Sequence, residues 1–105
     1  MSIASDLIRG HTETIILAQL IDHDSYGYSI NKVISDKTGG AYELKEATLY
    51  TAFRRLEQAG MIKSYWGEGP GARRKYYSIT RLGRALYEQN KEEWENTKKL
   101  IDSLI

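Results

Sequence analysis

The chain has no cysteine, a single proline and no long apolar run. Without cysteine there are no disulfides, no thiolate nucleophile and no cysteine-ligated zinc, a composition that fits a reducing compartment. A bilayer-spanning helix needs roughly 18 consecutive apolar residues, and no such stretch occurs. The opening MSIASDLIRGHTETIILAQL lacks a cationic segment leading into a long apolar stretch and a small-residue cleavage site, so no secretory signal is expected. These absences point to the cytoplasm. Histidine is scarce too. His11 and His23 are the only two, and Asp22-His23-Asp24 sets its candidate ligands side by side in a turn, where they rarely converge on one ion. No nucleophile, base and oxyanion donor stand together. An enzyme, a metal site and a cofactor are therefore not expected.

What is present fits one small domain, or one domain with an appendage. A chain of 105 residues that is 41% hydrophobic can build an ordinary but small core. The net charge of +1 says little by itself. Its distribution says more. Residues 1–44 carry three basic and six acidic side chains, and residues 76–105 carry five of each. Between them, residues 45–75 hold seven basic and three acidic groups, a local excess of four positive charges. A basic face on a near-neutral protein is a footprint for a phosphate backbone. A solvated surface patch is the plainer alternative.

Apolar spacing and breakers order the chain. Thr12 to Ile21 reads as helix 1, and the apolar residues 3–8 form a helical turn before it, with Gly10 between. Asp22 to Ser25 is a turn, with Asp24 or Ser25 placed to cap helix 2. Helix 2 runs from Tyr26 to Thr38, with Tyr26, Ile30, Val33 and Ile34 at helical spacing, and Gly39-Gly40 ends it. After a short extended connection, helix 3 runs from Glu46 to Ala59. Its cap position, Lys45, is a poor capping residue, and Gly60 stops it. Met61 to Trp66 is a strand, Gly67 to Ala72 a glycine-rich loop, and Arg73 to Ile79 a returning strand. Thr80 caps a last helix that runs nearly to Ile105. The order of helix, β-ribbon and helix, with positive charge on the first helix and the returning strand, is the layout of a winged helix-turn-helix. It points to double-stranded DNA.

Helix 3 has two unlike faces. With 100° per residue, Leu49, Ala52, Phe53 and Leu56 cluster as a buried stripe. Ala47, Thr51, Arg54 and Gln58 lie opposite, flanked by Thr48, Tyr50 and Arg55. Small groups and hydroxyls at the N-terminal end, with arginine beyond, suit a helix entering a major groove. Thr methyls can meet thymine methyls, and hydroxyls or Tyr50 can bond bases or phosphates. Arg54 and Arg55 can neutralise phosphate or reach guanine. The plainer alternative makes Tyr50 a core-edge aromatic and pairs the arginines with Glu46, Glu57 or Gln58.

The ribbon adds Arg73, Arg74 and Lys75. Side chains alternate along a strand, so a flat strand cannot turn all three to one partner. Arg73 or Arg74, with Lys75, is expected at phosphate, and the rest anchor the ribbon. Tyr77 shares a face with Ile79 and is expected in the core. Tyr76 is open to either role. GEGPGA is not a phosphate-cradling loop, because no strand-loop-helix with a GK[ST] ending follows.

These pieces together resemble the PadR-like transcriptional regulators, in particular a short subfamily with one C-terminal helix. The resemblance rests on Tyr26-Gly27-Tyr28-Ser29-Ile30, Thr48-Leu49-Tyr50, Arg54-Arg55-Leu56-Glu57 with Gly60-Met61-Ile62, and Arg73-Arg74-Lys75-Tyr76-Tyr77 leading into Thr80 and Gly83-Arg84. It covers nearly the whole chain. It implies a mainly α fold with a small β-ribbon: a winged helix-turn-helix over residues 1–79 and a dimerisation helix over residues 80–105. It also implies a homodimeric DNA-binding regulator, usually a repressor released by a small molecule or another signal. Ala47 and Thr51 depart from the Gly and Pro that often flank Thr-Leu-Tyr in the family, and Lys45 replaces a common capping Ser. At the reading end of helix 3 these changes bear on operator preference.

The last helix would span roughly 38 Å at 1.5 Å per residue, more than the small domain can cover. Leu82, Ala85 and Leu86 are expected to pack on the domain. Trp94, Thr97, Ile101 and Leu104 then recur at alternating three- and four-residue steps, with Ile105 beside them. That heptad-like seam asks for a partner helix, most simply from a second copy. A dimer would present two reading helices roughly 34 Å apart, one DNA turn, matching a pseudo-palindromic operator. Trp94 has two readings. In similar short regulators an aromatic residue of this helix stacks planar ligands at the dimer interface, which would join Trp94 to Ile8 or Ile15. The favoured reading is an interface anchor. The competing class for the whole chain is a winged helix that docks an acidic protein and binds no DNA.

Overall fold

The computed structural model describes residues 7–69 and 72–105. A 3-10 turn, Arg9–His11, leads into α1 (Thr12–Ala18), α2 (Gly27–Lys37) and α3 (Glu46–Gln58). Two strands follow, β1 (Ile62–Gly69) and β2 (Ala72–Ile79), and then α4 (Arg81–Leu104).

α1 stops at Ala18 rather than running to Ile21. Gln19 and Leu20 donate to the carbonyls of Ile16 and Leu17, both at 3.0 Å, and this tighter turn keeps Leu20 in the core beside Ile16 and Leu17. Ahead of α1, the 3-10 turn interrupts the helix at Gly10. The helical turn expected over residues 3–8 lies, except for Leu7 and Ile8, outside the described residues.

Neither Asp24 nor Ser25 caps α2. Tyr26 holds the cap position with extended backbone and without a side-chain capping bond. Ser25 is drawn into the sheet instead. Its N–H donates to the Tyr77 carbonyl at 3.1 Å and its own carbonyl accepts from the Tyr77 N–H at 2.7 Å, an antiparallel bridge alongside β2. The helix begins one residue later, so Ser25 lies ahead of the cap position held by Tyr26. At the other end of α2, Gly39 donates to Asp36 at 3.2 Å and Gly40 to Ser35 at 2.8 Å, which satisfies carbonyls the helix leaves over. α3 ends the same way. Gly60 adopts a φ of 78°, and Met61 N–H returns to the Leu56 carbonyl at 2.9 Å. A side chain at Gly60 would meet the left-handed penalty.

β1 and β2 are antiparallel and in register from Ile62 opposite Ile79 to Gly69 opposite Ala72. The strands are longer than expected. Pairing continues through Gly67–Arg74 and Glu68–Arg73, so the loop read over residues 67–72 shrinks to the connection at 70–71, outside the described residues. The core gathers one face from each element: Ile16 and Leu17 of α1, Ile30 and Ile34 of α2, Leu49, Phe53 and Leu56 of α3, and Ile62 and Tyr77 of the ribbon. Tyr77 stacks on Phe53 with centroids 3.9 Å apart and planes 16° apart. Each of the larger apolar side chains contributes about 1.5–3 kcal/mol on burial.

Thr80 starts α4. Its hydroxyl accepts from the Gly83 N–H at 3.1 Å and donates to the Gly60 carbonyl at 2.7 Å, tying the new helix to the end of α3. Leu82 and Ala85 do not pack on the domain as expected, and Leu82 is 60% exposed. Gly83 is buried instead. With no side chain it lets the first turn of α4 sit directly on the backbone at Met61. That rotates the stripe of Gly83, Leu86 and Tyr87 inward and Leu82 outward. Further along, Asn90 donates to the Thr14 hydroxyl at 2.9 Å, and the rings of His11 and Trp94 meet edge-on at 4.9 Å. Residues 91–105 are exposed along the rest of the helix. The molecule measures 51 × 30 × 21 Å.

Candidate nucleic-acid interface

α3 turns inward by the stripe that its periodicity marks: Leu49, Ala52, Phe53 and Leu56 are buried. Ala47, Thr48, Thr51, Arg54 and Arg55 are exposed. Lys45 gives the helix no side-chain cap. Its start is placed from a distance by Asn31 on α2, which donates to the Leu44 carbonyl at 2.6 Å and accepts from the Leu44 N–H at 2.7 Å. That amide pair fixes the extended connection, and with it the angle at which α3 is presented.

Arg55 finds a partner that the sequence does not suggest. Its guanidinium lies 3.3 Å from the Glu13 carboxylate of α1, not beside Glu46, Glu57 or Gln58. With the guanidinium this exposed, the pair contributes about 0–1 kcal/mol. Glu57 is occupied separately, accepting from the Ser64 hydroxyl at 2.5 Å. Tyr50 leans towards α2. Its ring meets Phe53 edge-on at 5.7 Å, and a Cβ placed on Gly27 would come within 2.8 Å of its hydroxyl oxygen.

The register sorts the basic strand. Arg73, Lys75 and Tyr77 alternate with Arg74 and Tyr76. Arg73 lies over the Trp66 ring at 5.2 Å, and Lys75 approaches the Tyr77 ring at 5.9 Å. Both cations are exposed. Arg74 is half-buried, with its guanidinium 4.5 Å from the centre of the Tyr26 ring. On that face Tyr76 stacks on Tyr65 at 5.7 Å and meets Tyr26 edge-on at 5.5 Å. Tyr65 donates to the Asp24 carboxylate at 2.5 Å. That hydrogen bond, ahead of desolvation and the nearby negative charge, holds the Tyr65 phenol above its ordinary pKa. Burial, ahead of the Glu57 charge, does the same for Tyr77.

A second concave site lies between α1 and α4. Trp94, Ile8 and Ile15 line one groove of about 430 Å³. His11, Thr14, Tyr87 and Lys91 share it, none of which the heptad spacing marks. Thr97, Ile101 and Leu104 lie beyond the groove on the exposed tail, where Ile101 is 50% and Leu104 79% exposed. Among the described residues no cluster of three or more His, Asp or Glu groups could hold a metal ion. Among them, too, no helix is long and apolar enough to cross a membrane.

Three helices carrying a paired ribbon, with the outer face of the third left open beside it, define a winged helix-turn-helix. The transcriptional regulator PadR-like family model matches residues 16–89. A transcriptional regulator from Clostridium thermocellum is 55% identical with a TM-score of 0.89, over 96% of this chain and 99% of that one. A PadR family transcription regulator from Clostridium difficile is 35% identical with a TM-score of 0.78, over 90% of this chain and 98% of that one. An uncharacterized protein from Lysinibacillus sphaericus is 45% identical, over 95% of this chain and 93% of its own. The chain belongs to the PadR-like family, a family of transcriptional regulators and not of enzymes.

Proposed function

We propose that this protein is a cytoplasmic, sequence-specific regulator that binds a pseudo-palindromic operator in double-stranded DNA as a homodimer. The carrying observation is the open outer face of α3 lying beside a ribbon whose Arg73 and Lys75 are exposed. In this reading Ala47, Thr48 and Thr51 lie closest to base edges, with Tyr50, Arg54 and Arg55 at their flanks. Arg73, Arg74, Lys75 and Tyr76 form the wing, where phosphate contact supplies affinity and orientation rather than sequence choice. Residues 1–79 form the DNA-binding unit and residues 80–105 the dimerisation helix, with Trp94, Thr97, Ile101 and Leu104 along the seam. The regulator acts as a repressor. A planar aromatic effector in the groove of Trp94, Ile8 and Ile15 relieves it by altering the spacing of the two reading heads.

Selection of bound duplexes from a random pool, followed by shift assays over a salt series, tests this. Enrichment of a two-fold related site, with affinity that falls steeply with salt yet keeps its preference, is expected. Recovery no better than with an inert control protein overturns it. For the effector, planar aromatic drugs should quench Trp94 emission in a Trp66→Phe protein and weaken operator binding.

A further inference from the structure

Trp66, Tyr28 and Tyr50 are three large aromatics outside the buried core cluster. They are 59%, 72% and 43% exposed, and they line one cleft of about 440 Å³ between the wing, the first turn of α2 and the flank of α3. Arg73, Arg74 and Lys75 line it as well, and no carboxylate does among the described residues. The nearest acid on the ribbon is Glu68, opposite Arg73 towards the tip. A cleft with three cations and no anion, walled by flat rings, suits a polyanion that also offers apolar faces. A sugar–phosphate strand has both, because its phosphates seek cations and its deoxyribose C–H faces pack on aromatic rings.

Gly27 supports the same assignment. The space its missing side chain leaves is filled by the Tyr50 phenol. Tyr50 is thus directed across the cleft to α2 rather than outward with Thr48 and Thr51. Its hydroxyl sits on the wall that a backbone would slide along, away from the face open to base edges.

We infer that this cleft is a channel for one backbone strand of the duplex, with Trp66, Tyr28 and Tyr50 gripping it. The inference rests on the DNA-binding reading and adds a division of labour. Aromatics of the cleft hold the strand without regard to sequence, and the small residues of α3 read it. Trp66 and Tyr28 become DNA contacts although neither carries charge.

Trp66 reports on its own site. Wild type and Trp66→Phe are titrated with a duplex enriched by wild type, and tryptophan emission is followed. Trp94 is common to both, so a change present in wild type and absent from Trp66→Phe belongs to the cleft. Shift assays on Trp66→Ala, Tyr28→Ala and Tyr50→Ala complete the test, with circular dichroism to confirm folding. Each variant should weaken all duplexes about tenfold, as loss of one good contact does. The slope of affinity against salt should stay at the wild-type value, because no counterion is released at an uncharged side chain. Emission unmoved by a duplex that wild type does bind, with Trp66→Ala and Tyr28→Ala at wild-type affinity, overturns the channel. So does stronger quenching by an acidic peptide than by a duplex of equal charge. Failure of wild type to bind any duplex is a different outcome and removes the DNA-binding reading itself.

Discussion

The Tyr65 hydroxyl donates a 2.5 Å hydrogen bond to the Asp24 carboxylate, joining the wing to the turn ahead of α2. Tyr65 stacks on Tyr76, Tyr76 meets Tyr26 edge-on, and Arg74 lies over Tyr26. These contacts run from wing to body on the face of the ribbon that alternates with Trp66 and Lys75. A two-stranded ribbon is marginally stable alone, so such contacts set how rigidly it stands. Tyr65→Phe should therefore loosen the wing and spare the fold. Amide exchange should rise several-fold in the outer halves of β1 and β2 while the melting temperature moves little. Unchanged exchange there would show that the aromatic stack alone holds the ribbon.

The same bond predicts a pH dependence. The Tyr65 pKa lies above the ordinary phenol value of 10.0, chiefly through its hydrogen bond to Asp24. The folded chain thus holds that proton more tightly than the unfolded one. The contact's contribution is complete below the unfolded value and is lost as pH rises through the folded one. Wing exchange, corrected for its intrinsic pH dependence, should be flat between about pH 6 and pH 9 and accelerate above pH 10. The acceleration should be absent from Tyr65→Phe. Tyr77 is held up as well, by burial, so ultraviolet titration must compare the two proteins to assign the phenol.

What the sequence made legible is what local chemistry dictates. The stripe of Leu49, Ala52, Phe53 and Leu56 follows from helical period, the stop at Gly60 from φ, and the start at Thr80 from its hydroxyl. Trp94, Ile8 and Ile15 line one groove between α1 and α4. Contacts between distant segments were not legible, since no period encodes them. Ser25 pairs with Tyr77, Asp24 with Tyr65, Glu13 with Arg55 and Asn90 with Thr14. Leu82 misled because apolarity favours burial, whereas the close approach is made by Gly83. The exposure of Tyr28 and Trp66 is not legible for a related reason. An aromatic residue is by default a core candidate, and only the structure shows these two facing solvent.

Gly83 gives the sharpest stability prediction. A Cβ there would overlap the Met61 carbonyl oxygen and come within 2.8 Å of Ile79. The first of these is backbone and cannot rotate away. Gly83→Ala should cost about 3 kcal/mol, the upper end for overpacking, and lower the melting temperature by roughly 12 °C or more. Gly10→Ala is the control, as nothing lies within 4 Å of a Cβ there. Equal melting temperatures would mean that α4 can lift off Met61 freely.

Wing and reading helix should separate in a salt series. Arg73→Ala and Lys75→Ala each remove one exposed cation and should weaken binding to every duplex alike, lowering the salt slope by about one unit apiece. Thr51→Ala removes no charge and should leave the slope alone while changing which duplexes are preferred. A wing variant that re-ranked duplexes at constant slope would reverse these roles.

The exposed tail of α4 is open to a second copy of the chain. Ile101 and Leu104 are exposed on α4, continuing the three- and four-residue steps that begin at Trp94. An exposed apolar seam on a helix is stabilised when a second helix covers it. Ile101→Asp combined with Leu104→Asp places two charges where that helix would lie. Because neither residue touches the core cluster, the domain should remain folded, with unchanged circular dichroism apart from fraying of the tail. Sedimentation should shift from dimer to monomer. Affinity for a full two-fold operator should fall about 100-fold or more, since the second reading head then binds without the help of the first. Affinity for an isolated half-site should hold. A double variant that sediments as a dimer would move the interface off this seam, and one that is monomeric yet binds the full operator unimpaired would separate dimerisation from recognition.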